Sequence, residues 1–361
     1  MIPIPDEALS TIAELRRALH ACAEPSGCEV RTKETIRRFL TEHTTLELHD
    51  CGAGFYGVHR EADAAAPSIA LRADYDALAL EEGGAAHLCG HDGHAAALCG
   101  TALLTEGRRI GRSVYFLFQS AEETGRGAAG CLELFSREHV DEIYGAHNLP
   151  GYPFGRIFTR RGTFACASRG LAVHLTGVGA HAAYPELGVS PAGALGRLLL
   201  ALPALEERFA PEDGARCTII GARLGEEAFG SAPGSAELWL TLRAGRDAPL
   251  EALCNLAVQT VKNAAAEAKL GCEITVHDPF PATVNDDGCA QKILRACSGA
   301  LLPEPMRWSE DFGHYLRVCR GAFFGVGAGG TQPPLHNPAY EYPDALLAPT
   351  MRAFLQILED R

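Results

Sequence analysis

The chain has 361 residues, 47% of them hydrophobic, enough for packed cores and for two domains. A formal charge of -13 excludes the basic face that nucleic acid or an anionic membrane surface requires. The opening MIPIPDEALSTIAELRRALH lacks the basic start and apolar core of a signal peptide, and no run of about 18 apolar residues suggests a span, so a cytoplasmic protein is expected.

Apolar residues at helical spacing (Leu9, Ile12, Leu15, Leu19) predict a helix over 6–20, and a second follows over 32–40. A short strand over 68–74 ends in the acids Asp74 and Asp76. The stretch HLCGHDGH then places one thiol and three imidazoles between His87 and His94. Cys89 and His91 are two apart and share a side only in extended backbone, so the spacing predicts a loop that enters a helix over 94–104. A thiolate beside an imidazole suits a transition metal, with the thiolate favouring softer ions such as zinc. Any single histidine here reads as a buried core residue; Cys89, His91 and His94 together read as a metal site. The thirteen cysteines are an odd number without a framework spacing, so the others read as small reduced hydrophobes.

The aromatic and branched run 113–118 predicts a strand leading into QSAEETGRGAAG, which puts Glu122 and Glu123 just past its end. An extended piece over 142–150 presents His147 and Asn148, and a strand over 322–326 precedes a Gly-rich loop and His336. In open α/β sheets functional groups gather beyond the carboxyl ends of strands, and four separated segments here place ligand-type residues at such ends. Between them a strand (171–176), a helix (191–209), two strands (216–224, 236–243), a helix (249–270) and a strand (272–277) follow the βαββαβ order of a ferredoxin-like unit. The expected fold is therefore α/β: a discontinuous catalytic domain over 1–168 and 279–361 with a mostly parallel sheet, and an inserted α+β domain over 169–278.

The candidate metal ligands are Cys89, His91, Glu123, His147 and His336, with Asp74, Asp92 and Glu122 close by in sequence. Five donors exceed one tetrahedral ion, and a thiolate or carboxylate able to bridge favours a pair of ions. Adjacent glutamates point apart, which suits one binding metal while the other handles protons.

HLCGHDGH, QSAEETGRGA, YGAHNLPGYPFGRI, GVGAHAAYPELG, SEDFGHYL and PLHNP, in this order, closely resemble the metal-dependent amidohydrolase branch of the aminoacylase and carboxypeptidase family, which includes hippurate and auxin-conjugate hydrolases. The resemblance spans most of the chain. It implies a split di-metal peptidase-type domain, an inserted lid that joins two subunits into a homodimer, two divalent ions (zinc or manganese foremost), and hydrolysis of the amide bond of an N-acyl amino acid or peptide. Carried over by position, it makes Cys89 the shared thiolate ligand and His91, Glu123, His147 and His336 the others. Glu122 becomes the general base, taking a proton from the attacking water and returning it to the leaving amine. His181 matches a lid histidine that stabilises the oxyanion or holds the substrate carboxylate. Asp74, Asp92 and His94 match groups that orient the ligands.

Three positions depart from the family pattern: Gly230-Ser231-Ala232-Pro233 stands for Asn-X-Ile-Pro, Ser190 for an Asp, and Ala79 for a Pro. None is a proposed ligand. A dipeptidase or aminopeptidase of the same fold is the main alternative, but no acid is assignable to a free α-amino group. A non-catalytic binding protein would have lost Glu122 or a ligand, and neither is lost. A structural zinc site would be closed and Cys-rich, against which stands the spare carboxylate of Glu122 beside Glu123.

Overall fold

The computed structural model describes residues 2–360, which form two compact units. One unit runs to Phe164 and resumes over Thr283–Met306 and from Glu310 onward; the other comprises Ala165–Ala282 and Arg307–Ser309. Among the described residues no helix is long and apolar enough to cross a membrane.

The first unit is built on an eight-stranded sheet in the order Glu47–Cys51, Gly54–His59, Val114–Gln119, Ile69–Asp74, Glu142–Pro150, Arg320–Gly329, Ile157–Thr159, Ala300–Leu301. Its four middle strands are parallel, and antiparallel pairings confined to the flanks complete a mixed, mostly parallel sheet. Ile69–Asp74 and Val114–Gln119 are buried along their whole length, as parallel strands covered on both faces must be. That is why neither shows a polar alternation in sequence. The register sets Asp74 opposite Gln119 and His147 opposite Gly325, so the carboxyl ends of the middle strands finish together.

The helix His91–Thr105 lies against this sheet beneath the helices Asp6–Ala21 and Leu347–Glu359, and every residue in it but Leu103 is buried. Small residues make that possible. A Cβ on Gly93 would sit 2.3 Å from the Tyr342 ring, and one on Gly100 would sit 2.2 Å from Met351 Sδ. The helix begins three residues earlier than its Ala-rich run predicts. Gly90, at φ 91°, turns the chain in the left-handed region that glycine adopts without a Cβ penalty, so that His91 is already helical while Cys89 stays on the entering loop.

In the second unit four antiparallel strands run in the order Arg216–Leu224, Ser235–Ala244, Ala167–Thr176, Gly271–Phe280. Alternate residues Ala236, Leu238, Leu240 and Leu242 are buried, with Leu171, Val173 and Leu175 on the neighbouring strand, giving one face to a core and one to solvent. The helix Asp247–Glu267 covers that core through Leu250, Leu253, Cys254, Ala257 and Val261, spaced by three and four. The single helix expected over 191–209 is instead Ala192–Ala201 followed by a 3₁₀ segment Pro203–Arg208. Pro203 carries no N–H to continue the α ladder. The outlying Arg307–Ser309 is tied in by Cys166 N–H donating to Trp308 O at 3.1 Å and by Arg243 donating to Ser309 Oγ at 2.7 Å.

Candidate metal centre

The strand ends and the Cys89 loop converge. Cys89, His91 and His147 present donor atoms within 4.8 Å of one another; so do Cys89, Glu123 and His336; and so do His91, Glu122 and Glu123. Cys89 belongs to both of the first two groups. All five sequence-predicted ligands and Glu122 are thus gathered in one place within the first unit. The two oxygens of Glu123 face different imidazoles, with Oε1 3.8 Å from His91 Nε2 and Oε2 3.6 Å from His336 Nε2.

The tautomers are fixed by what stands behind each ring. A carboxylate only accepts, so His91 Nδ1–H donates to Asp76 Oδ1 at 3.0 Å and its Nε2 lone pair is turned into the cluster. His147 Nδ1–H likewise donates to the Asn148 carbonyl at 2.9 Å, turning Nε2 toward Cys89 Sγ at 3.4 Å. His91 Nε2 and Glu123 Oε1 are buried with no hydrogen-bond partner. Buried polar atoms are normally paired, so two such atoms converging on a thiol and further imidazoles fit a cation. Burial lowers His91, but the Asp74 and Cys89 charges outweigh it and hold the ring well above the usual imidazole range, so the surrounding acids draw positive charge to this point. Burial, followed by the Glu123 charge, pushes the Cys89 thiol well above its usual range, and burial pushes the Glu123 carboxyl up to about 7. Burial also holds His147 well below the usual imidazole range, with His94 adding to the effect. A divalent ion reverses the penalties on Cys89 and Glu123 by supplying the missing positive charge, and it binds the neutral imidazole directly.

Glu122 is 5% exposed, and its carboxyl is held well above the ordinary range by burial and then by the nearby Glu310, Glu123 and Asp311. Its Oε1 accepts the Asp311 backbone N–H at 3.3 Å. Asp311 is itself held by Arg72 Nη2 at 2.9 Å, by Gln119 Nε2 at 2.8 Å and by the Ala128 N–H at 2.8 Å. Arg72 reaches Asp74 at 2.7 Å as well.

Of the other predicted residues, Asp74 accepts from His94 Nδ1 at 2.6 Å, and His94 Nε2 bonds Asn148 Oδ1. Both ring nitrogens of His94 are thus engaged by protein groups, although its donor atom also lies within 4.8 Å of those of Asp74 and His91. Asp92, expected to orient the ligands, is instead turned away on the helix, where it accepts from His20 Nδ1 at 2.8 Å and from Arg16 Nη1 at 3.3 Å. One helical step from His91 rotates a side chain by about 100°, which takes it off the cluster. His181 belongs to the second unit, on the short strand Ala180–His181 paired with Ser231–Ala232.

Asp76, Arg72 and Asp311 are the residues that sequence reasoning missed. Asp76, not Asp74, backs His91, and its Oδ2 accepts the Glu123 backbone N–H at 3.0 Å. The signal was the spacing of the two acids in ADYDAL, which places both on one side of an extended strand end.

The sequence matches Peptidase family M20/M25/M40 over residues 70–360. It is 29% identical to the N-acetylcysteine deacetylase of Bacillus subtilis, with 98% of this chain and 97% of that protein aligned. It is 31% identical to the IAA-amino acid hydrolase ILR1-like 5 of Arabidopsis thaliana, over 92% of this chain and 82% of that one. The crystal structure of a dinuclear metal binding peptidase from Bacillus subtilis superposes with a TM-score of 0.81 at 25% identity, covering 98% of both chains. With candidate metal-ligand groups gathered at the strand ends of the matching fold, this chain belongs to Peptidase family M20/M25/M40.

Proposed function

We propose that this protein hydrolyses the amide bond of N-acyl amino acids, with Cys89, His91, Glu123, His147 and His336 holding two divalent ions and Glu122 acting as general base. The observation that carries this reading is Cys89 shared between two donor groups, because a donor common to both would let this one set of residues hold a pair of ions. Relatives named for deacetylating N-acetylcysteine and for hydrolysing IAA-amino acids support the same chemistry. When bound, the ions would supply Lewis acidity for the hydrolysis. Glu122, whose buried carboxyl binds a proton more tightly than an ordinary one, accepts the proton of the attacking water and passes it to the leaving amine. Asp76 and the Asn148 carbonyl keep the two imidazoles oriented, and Asp74 with His94 backs them. His181 is the candidate for holding the oxyanion or the substrate carboxylate, as the resemblance implies.

Zinc or manganese is the expected metal, on the softness of the thiolate and the mixed N/O remainder of the donor set. The working form is a homodimer through 169–278. The edge strand Arg216–Leu224, which exposes Ile220 and Leu224, supports it, since an unpaired apolar edge invites a partner strand. All thirteen cysteines are free thiols, in keeping with a reducing cytoplasm.

The test is metal content together with amine release from N-acetyl, N-succinyl and N-benzoyl amino acids and from simple dipeptides, before and after chelation and metal re-addition. Metal-dependent release from one acyl class is the expected result. Cleavage of dipeptides alone overturns the acyl specificity, and a protein that binds no metal overturns the site.

A further inference from the structure

The Glu122–Glu123 pair leaves its strand through Ala121, whose φ of 55° lies in the left-handed region that residues with a Cβ disfavour. Ala121 is buried and held from both sides. Its N–H donates to Glu29 Oε1 at 2.8 Å, and its carbonyl accepts from Gly127 N–H at 3.0 Å and Arg126 N–H at 3.3 Å. The following turn is closed by Gly125 N–H donating to Glu122 O at 2.7 Å. Glu29 is far away in sequence, at the start of the helix Val30–His43, and is 7% exposed. The same oxygen also accepts the Gly27 N–H at 2.9 Å, which fixes the carboxylate before it reaches Ala121. Three residues earlier, Ser26 Oγ donates to Asp76, the residue that takes the Glu123 N–H. A short N-terminal segment therefore grips the glutamate loop at two points.

We propose that Glu29 is a positioning residue for the hydrolysis. Its buried carboxylate locks Ala121 in the left-handed conformation and so sets the direction in which Glu122 and Glu123 leave the strand. This rests on the roles given to those two glutamates in the proposed function. A rotation about φ of Ala121 swings both carboxylates together, so the general base and a metal ligand share one backbone hinge. Of the backbone groups at that hinge, the N–H is secured by a side chain from another part of the chain.

The experiment compares Glu29→Ala, Glu29→Gln and the double variant Glu29→Ala/Ala121→Gly in the full-length, zinc-loaded protein. It reads kcat and KM separately and zinc affinity by chelator competition, with thermal melting to report folding. Glu29→Ala is expected to lower kcat by roughly 10–100-fold with little change in KM and to weaken zinc binding about 10-fold. Glu29→Gln keeps the accepting oxygen and stays within about 3-fold of the parent. Adding Ala121→Gly recovers about 10-fold of the lost kcat, because glycine adopts the positive φ without help. A Glu29→Ala variant with unchanged kcat and zinc affinity, or a double variant as impaired as the single one, overturns the proposal. If Glu29→Ala does not fold, Ala121→Val tests the same hinge with Glu29 intact: a β-branched residue in the left-handed region must reproduce the loss, and an unaffected variant sinks the idea. A parent protein that binds zinc yet releases no amine removes the amidohydrolase reading, while the zinc affinities still judge Glu29. Normal turnover in the parent with identical zinc affinity and kcat in every variant removes Glu29 alone.

Discussion

Asp76 and His91 form the joint on which the site turns. Asp76 Oδ1 lies 3.0 Å from His91 Nδ1, while Oδ2 of the same carboxylate takes the Glu123 backbone N–H at 3.0 Å. One buried acid therefore sets the tautomer of one proposed ligand and the backbone of another. Asp76→Asn keeps the shape but weakens the acceptor, and metal affinity is expected to fall by about 10–100-fold. Chelator competition with zinc reads this directly; an affinity equal to the parent's would show that His91 needs no such support.

Glu122 and Cys89 are expected to fail in different ways. Glu122→Gln removes a proton carrier but no proposed ligand, so both ions stay bound and turnover falls by at least about 10²-fold. Cys89→Ala removes a donor common to two groups, so metal content itself drops. Elemental analysis beside single-turnover rates separates the two, and a Glu122→Gln enzyme with a near-normal rate would reassign the base.

The Arg72 guanidinium, buried to 1% exposure, is shared by Asp74 at 2.7 Å and by Glu310 and Asp311 at 2.9 Å. Arg72→Met leaves three buried acids without it, and the expected loss is about 3–5 kcal/mol of stability. Urea unfolding checks this as a lowered midpoint at constant slope. A midpoint within error of the parent's would mean the acids are neutral in the folded protein.

Gly93 faces Tyr342 across the buried helix, where an added Cβ would meet the ring at 2.3 Å. Tyr342 cannot retreat freely, since its hydroxyl is bonded to Thr350 at 3.1 Å and the residue is 1% exposed. Gly93→Ala is expected to destabilise by about 1–3 kcal/mol through overpacking. Thermal melting should show a drop of roughly 2–4 °C for each kcal/mol lost.

Asp286 caps the helix Asp287–Ala296 by accepting the Cys289 N–H at 2.9 Å, and Arg320 Nη2 lies 3.2 Å from the same oxygen. Burial raises its carboxyl, but the bonds from Arg320 and Cys289 outweigh that and hold it below the usual range. A group depressed in the folded state contributes fully above its unfolded pKa of about 3.9 and loses that contribution as pH falls through the folded value. Asp286→Ala should therefore cost about 1 kcal/mol at neutral pH and progressively less in acid. Denaturation midpoints of both proteins at a series of pH values measure the gap; a constant gap down to strong acid would exclude the charged cap.

Much of the site could be read along the chain because its parts are local. A thiol and imidazole at a loop-to-helix junction, a glutamate pair after a strand of aromatic and branched residues, and the βαββαβ run of alternating patterns each follow from side-chain type and period within a few residues. The convergence of Cys89 with His147 and His336 depends on the parallel register that brings distant strand ends level, and no local pattern encodes a register between strands far apart in sequence. Asp74, Asp76 and Asp92 are the same kind of acid, and distance along the chain does not pick the partner of His91, since the adjacent Asp92 is not the one that bonds it. Only the direction in which strand and helix project them makes one the partner of His94, one the partner of His91 and one the partner of His20. The left-handed Ala121 is the sharpest case. Nothing about an alanine announces a positive φ, and what holds it there is a carboxylate 92 residues away, brought near by packing alone.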